Sequence, residues 1–339
     1  GYLSSMCLGI LIGSLSDKFG RKKLILIGYV GCFSLFYTLL QLKNFYLILV
    51  GRIFSGIATS ILYSSIDGWM IAAHNKQEFE EALLKDTFSK QSYLNGLIAI
   101  IAGFLSHFCF SLTSLYESAF ILAILILMIA GLIIFFKWEE NYGSFNTTST
   151  FESISSSFSE LSESPKIFLL GCCQSFFESS MYLFVYLWTP ILNDAGLAKG
   201  DHGKVFSAFM MAVMIGSKYF TKLELNSKGE LHTLKYAYVI GFIGFLVINL
   251  SLIIVNFNIH VLALPLIGCC IFEFAVGLFW PSINTLKGVY LPNNSRSTLN
   301  NLFRVPTNAM VILSIYFSSL LPRLVLVNLC LLFLSIGFV

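Results

Sequence analysis

Long apolar stretches alternate with short polar ones along almost the whole chain. The apolar runs fall near residues 1–14, 24–42, 45–70, 92–112, 118–137, 167–190, 204–220, 234–256, 260–282, 297–320 and 324–339. Most approach the ~20 residues that a helix needs to cross a bilayer core, so the pattern predicts eleven spanning helices. Residues 138–166 break the rhythm, being polar and Ser-rich. They predict a three-part order: one helical half at 1–137, a linker at 138–166 and a second half at 167–339. Within the linker, Phe151, Ile154, Phe158 and Leu161 recur at helical spacing. An amphipathic helix on the membrane surface accounts for them; a structureless Ser-rich linker is the alternative. The chain starts and stops inside apolar runs. No cleavable signal is therefore expected, and the first span of a twelve-helix arrangement is expected to be missing.

Composition narrows the class. Of 339 residues, 56% are hydrophobic and 12% charged, too few charges to coat a water-soluble fold of this size. The predicted class is an all-α integral membrane protein. The basic residues supply its orientation: fifteen fall in loops on one side, among them Lys18, Arg21, Lys22 and Lys23, and four (Lys43, Lys199, Lys204, Arg323) on the other. Such a bias marks the richer side as cytoplasmic. The sequons at Asn146 and Asn293 fall on that side and the one at Asn249 lies inside a run, so none is expected to carry a glycan. The eight cysteines all lie in apolar runs, as packing residues do. No Cys/His spacing suits a metal, and no nucleophile–base pair or phosphate loop appears. Neither an enzyme, a cofactor nor a nucleic-acid partner is expected.

Between the first two runs stands Gly13–Lys23, reading Gly-Ser-Leu-Ser-Asp-Lys-Phe-Gly-Arg-Lys-Lys. A tight basic loop, closed by Gly13 and Gly20, is expected here. Position for position it resembles the signature between the second and third spans of the major facilitator superfamily. Further stretches are similar to the molybdate-anion transporter family within it. They include Gly51–Ser60, Asp67-Gly68-Trp69, Thr87–Lys90, Glu140-Asn141-Tyr142-Gly143, Phe177-Glu178-Ser179, Leu187–Pro190 and Asn301–Pro306. Asp67 stands where Glu is expected in animal members. The resemblance implies the major facilitator fold, two six-helix halves in which spans one, four, seven and ten surround a central path. It also implies a carrier that moves the molybdate oxyanion.

Charges inside spans are costly and usually face a cavity or a partner. Here they are Arg52, Asp67, Glu178, Glu273 and Arg304. In 45–70, Arg52, Gly56, Thr59/Ser60, Tyr63 and Asp67 recur every three or four residues, a polar stripe down one helix face. In 167–190, Gly171, Gln174/Ser175, Glu178, Tyr182 and Tyr186 repeat the device. Polar glue between two helices is the plainer account of such stripes. Arg presents a planar, always-charged fork suited to tetrahedral oxyanions. Arg52 and Arg304 are therefore the expected grip, with Glu178, Glu273, Gln174 and Tyr63 beside it. One of the carboxylates is expected to take a proton with the anion; static pairing of Glu178 or Glu273 with Arg304 is the alternative. Asp67 is expected to join Asp17 and Arg21 in a cytoplasmic latch. Pro306, two residues after Arg304, either opens the helix at the anion site or makes a fixed kink.

The expected activity is alternating-access transport of molybdate or a similar oxyanion, proton-coupled, by a monomer in the lipid bilayer of the plasma membrane or an internal membrane. The rivals are proton-coupled carriage of another organic or inorganic solute, and a sensor that binds without translocating.

Overall fold

The computed structural model of the chain describes residues 2–41, 44–115, 117–143, 150–198, 201–226, 229–255, 261–318 and 320–338. Among them, every regular element is helical. In order these are α1 (Tyr2–Phe19), α2 (Arg21–Leu24), a π-helical stretch (Ile25–Gly31), α3 (Cys32–Gln41), α4 (Phe45–Ile61), a second π-helical stretch (Leu62–Ile66) and α5 (Asp67–Lys76). Then come α6 (Glu81–Thr113), α7 (Glu117–Lys137), α8 (Thr150–Glu163), α9 (Pro165–Asp194), α10 (His202–Asn226) and α11 (Glu230–Val255). The last are α12 (Ala263–Tyr290), α13 (Arg296–Phe317) and α14 (Arg323–Phe338). Among the described residues, six continuous helical stretches are long and apolar enough by themselves to cross a membrane.

Within the described residues each apolar run is largely helical, but several helices overrun it. α6 begins at Glu81 instead of near 92, and α12 continues to Tyr290. An α-helix satisfies its own backbone groups wherever it goes, so hydropathy marks the membrane-embedded part and not the end of the helix. The expected loop at 13–23 is corrected for the same reason. α1 runs on to Phe19, and the chain breaks only at Gly20. Gly20 holds φ +111°, which a side chain resists, and a Cβ there would also strike the Glu140 carboxylate at 2.5 Å. Helix starts follow local chemistry: Asn44 caps α4, its Oδ1 accepting from the amides of Tyr46 at 3.0 Å and Leu47 at 3.3 Å. Pro190, Pro281 and Pro306 all sit inside continuous helices. Within the linker, α8 is the expected helix, with Phe158 exposed and Ile154 and Leu161 half-buried. The Phe151 side chain, the Asn146 sequon, Lys43, Lys199 and Lys228 lie outside the described residues.

The chain forms two compact units. One comprises Gly1–Phe79, Phe104–Gly171 and Tyr290–Ala309; the other comprises Glu80–Gly103, Cys172–Val289 and Met310–Val339. The first is centred on Ile12, Ile25 and Ile61, with Leu8, Tyr29, Ile57, Trp69, Ile134 and Trp138 around them. The second has an aromatic core. Phe177 stacks on Phe279 at 3.9 Å between ring centres, and Phe184, Phe245 and Phe272 pack beside them. All eight cysteines are free thiols.

Candidate functional site

In the first unit, three segments far apart in sequence meet at the Gly20 turn. Arg21 is fully buried and uses its whole fork. Its Nε and Nη2 donate to Asp17 Oδ1 at 3.1 and 2.9 Å. Its Nη1 reaches the Gly68 carbonyl at 3.0 Å, and Nη2 the Asn293 carbonyl at 2.8 Å. The other oxygen of Asp17 accepts from the backbone amides of Ser297 at 3.1 Å and Thr298 at 3.2 Å and from the Thr298 hydroxyl at 3.3 Å. Asp17 thus caps α13, where a carboxylate neutralises the exposed amides and the positive end of the dipole. Of the three residues of the expected latch, Asp17 and Arg21 are bonded to each other, and Asp67 is buried next to Gly68, whose carbonyl Arg21 binds.

A strap from residues 138–143 closes over this turn. Trp138 stacks on Trp69 at 3.7 Å, and Trp69 Nε1 donates to the Glu139 carbonyl at 2.7 Å. Glu140 caps α2, accepting from the amides of Lys22 at 2.8 Å and Lys23 at 3.2 Å. The Gly143 amide donates to the Asp17 carbonyl at 2.7 Å. At the exposed edge, Lys76 lies 2.9 Å from Glu139 and holds that carboxyl below its ordinary range. Three of the stretches singled out in the sequence (13–23, 67–69 and 140–143) therefore form one structure. Sequence reasoning missed the strap because its partners are distant along the chain.

Deeper in the same unit, α1 packs on α13 and α4 through small residues. A Cβ on Gly13 would meet the Ser297 carbonyl at 2.7 Å, and one on Gly9 would meet both Asn301 and Ser60 at 3.1 Å. Buried hydroxyls lace the seam, Ser5 to Ser60 at 2.8 Å and Ser16 to Ser65 at 2.7 Å. Here Arg304 is buried with its guanidinium 4.0 Å from the centre of the Tyr63 ring. Tyr63 lies in the π-helical stretch Leu62–Ile66, a local widening that re-aims side chains and often marks functional positions. The stacked face of the guanidinium is occupied, while its edge, which carries the N–H donors, is the part suited to an oxyanion.

Arg52 is placed differently. It is exposed, with its guanidinium over the Phe36 ring at 5.2 Å. At 1.5 Å per residue, Tyr63 is about 16 Å further along the same helical run. Arg52 and Arg304 thus rest on different rings, Phe36 and Tyr63.

In the second unit, Gln174 and Glu178 are both buried on α9, and Gln174 Nε2 donates to Glu178 Oε1 at 2.6 Å. Among the described residues, Glu178 Oε2 and Gln174 Oε1 meet no hydrogen-bond partner. Glu273 is buried in α12. Tyr186, at the far end of the predicted stripe, is exposed and accepts from the Ser318 hydroxyl at 3.0 Å. A groove of about 240 Å³ in this unit is lined by Tyr238, Val239, Phe242, Ile243, Leu334 and Phe338. It is almost wholly apolar and offers an anion no grip. Among the described residues, no group of three or more His, Cys, Asp or Glu is placed to hold a metal.

Comparison with known proteins gives the same class. Residues 1–274 match a family described as sugar transporters with 12 transmembrane segments. The molybdate-anion transporter of Xenopus tropicalis is 28% identical over 324 residues, covering 91% of this chain and 68% of the relative. That of Takifugu rubripes is 26% identical over 342 residues, covering 93% and 70%. Among solved structures, the human organic anion transporter MFSD10 superposes with a TM-score of 0.76 at 16% identity, over 99% of this chain and 80% of that one. FucP, a major facilitator transporter in the outward conformation, gives 0.72 at 16% identity, over 99% and 85%. The fold is that of the major facilitator superfamily, and the chain is a multi-pass membrane protein.

Proposed function

Since this chain belongs to the twelve-span sugar-transporter family of the major facilitator superfamily, we propose that it is a secondary carrier whose cargo is molybdate or a similar tetrahedral oxyanion. The observation that carries the reading is Arg304, a buried guanidinium on α13 stacked on the Tyr63 ring of the π-helical stretch Leu62–Ile66. A guanidinium stacked on a ring by its face carries its N–H donors at the edge, a geometry that suits a tetrahedral oxyanion. The similarity to molybdate-anion transporters supplies the cargo. Alternating access would move the helical halves 1–137 and 167–339 about the linker, with Asp17, Arg21 and Asp67 as the cytoplasmic latch. The plasma membrane is the proposed residence.

Proton coupling is assigned to Glu178. Its carboxyl is buried inside a span and bonded on one oxygen by Gln174, and carboxylic acids in such positions commonly belong to proton relays. The same pair also favours a second reading, proton-coupled carriage of a neutral solute such as a sugar, in which Arg304 is structural. Flux of radiolabelled molybdate into proteoliposomes, at several pH values and with sulfate or sugars as competitors, separates the two. Under the first reading Arg304→Ala abolishes uptake, Arg52→Ala weakens it, and Glu178→Gln flattens its pH dependence. Retained uptake in both arginine variants sinks the oxyanion grip. An unchanged pH profile in Glu178→Gln removes that residue from coupling.

A further inference from the structure

Arg304 belongs to a longer row. Ser297, Asn301, Arg304 and Asn308 follow at intervals of four, three and four on α13, which puts them on one helix face. All four are buried. At the start of the row the polar groups are engaged: the Ser297 amide on Asp17, and Asn301 Nδ2 on the Ser297 carbonyl at 3.1 Å. One turn beyond Arg304 the situation changes. Asn308 is fully enclosed, yet among the described residues neither its Nδ2 nor its Oδ1 has a hydrogen-bond partner. A buried amide left unpaired at both ends destabilises a fold, and Leu would fill nearly the same volume without that cost. Packing alone therefore does not account for Asn at this position.

Resting on the oxyanion reading above, we propose that Asn308 is the second contact of the anion and sets its size selectivity. Residues four apart on a helix share a face, with Cβ atoms about 5–6 Å from each other, so in this proposal an ion at the edge of Arg304 also meets the Asn308 amide. A tetrahedral dianion held by two oxygens turns its other two away from the guanidinium. Asn Nδ2 supplies two N–H donors with no charge. It replaces lost water on those oxygens without adding an attraction that would hinder release. With the arginine fixing one side of the ion, the distance to a donor one helical turn away sets the span the ion must bridge, which is how molybdate and sulfate, with different bond lengths, would be told apart. The Asn300 Oδ1, also buried and without a partner among the described residues, marks the same helix as polar beyond its packing needs.

The test uses the full-length protein in proteoliposomes with radiolabelled molybdate and graded sulfate. Asn308→Ala is expected to raise the KM for molybdate about tenfold, the loss of one good contact, with little change in maximal rate and with weaker preference over sulfate. Asn308→Leu is expected to lose affinity similarly while the ligand-free protein melts at a higher temperature. Its stabilisation by added molybdate should shrink. A structural amide predicts the reverse, so a lower melting temperature or misfolding in Asn308→Leu overturns the inference. So does wild-type KM and sulfate inhibition in both variants when Arg304→Ala abolishes uptake; the oxyanion reading then stands alone. If the wild-type protein carries no molybdate, both fall together.

Discussion

Arg304 and Tyr63 show how a residue's surroundings change its meaning. On paper both were polar positions in apolar runs; in the fold the ring lies 4.0 Å beneath the guanidinium and fixes where its donors point. A desolvated cation–π contact is worth about 2 kcal/mol, or roughly thirtyfold in affinity if it orients the anion site. Tyr63→Phe keeps the ring and should transport nearly as well as wild type. Tyr63→Leu should raise the KM for molybdate by about tenfold or more, measured by initial uptake rates. Equal KM values for the two variants would deny the ring a positioning role. The arginine itself was found in the sequence by its charge. Its neighbour Asn308 was passed over, although the spacing Ser297, Asn301, Arg304, Asn308 was there to be read, because an Asn in a span carries no charge to draw notice.

At the scale of elements, helix type and order followed from hydropathy, and the close approach of α1 to α13 did not. Small residues permit that approach without specifying the partner. A Cβ on Gly13 would press on the Ser297 carbonyl at 2.7 Å and the Thr298 Cα at 2.9 Å, backbone atoms that cannot swing aside. Gly13→Ala should therefore cost about 1–3 kcal/mol and lower the melting temperature of the detergent-solubilised protein. Gly103, with nothing within 4 Å of its would-be Cβ, is the control. Gly103→Ala should be neutral or stabilise by about 0.5–1 kcal/mol. Similar melting temperatures for the two variants would contradict the packing described for α1. The π-helical stretches at Ile25–Gly31 and Leu62–Ile66 had no signal in the apolar pattern, since a shift of hydrogen-bond partner leaves composition unchanged.

For the molecule as a whole, the prediction concerns the working cycle. Asp17 joins a buried guanidinium to the amides that open α13. Asp17→Asn keeps the volume and removes the charge, leaving Arg21 buried without its carboxylate, a change worth about 3–5 kcal/mol. The variant should bind molybdate normally in equilibrium assays, yet transport at least about tenfold more slowly because one conformation is held or lost. Accessibility labelling on the two membrane faces reads that conformation directly. Normal exchange in Asp17→Asn would remove the latch. The strap through Glu140 and Gly143 ties residues 138–143 to the same turn, so Glu140→Ala is the matched variant for the linker side.

The amino-acid order by itself determined that this protein crosses a membrane many times and the family to which it is similar. Those properties are sums over many residues, and transfer of apolar segments into a bilayer depends little on which neighbours they meet there. Only the tertiary structure decided that Arg304 rests on Tyr63 while Arg52 lies apart on Phe36, that Glu178 is bonded to Gln174, and that the 138–143 strap seals the Gly20 turn. Each of these depends on a distance of a few ångströms between helix faces, set by where glycines allow backbones to touch and where a π-turn rotates the face. Periodicity places a residue on a helix face, and packing then chooses its neighbour.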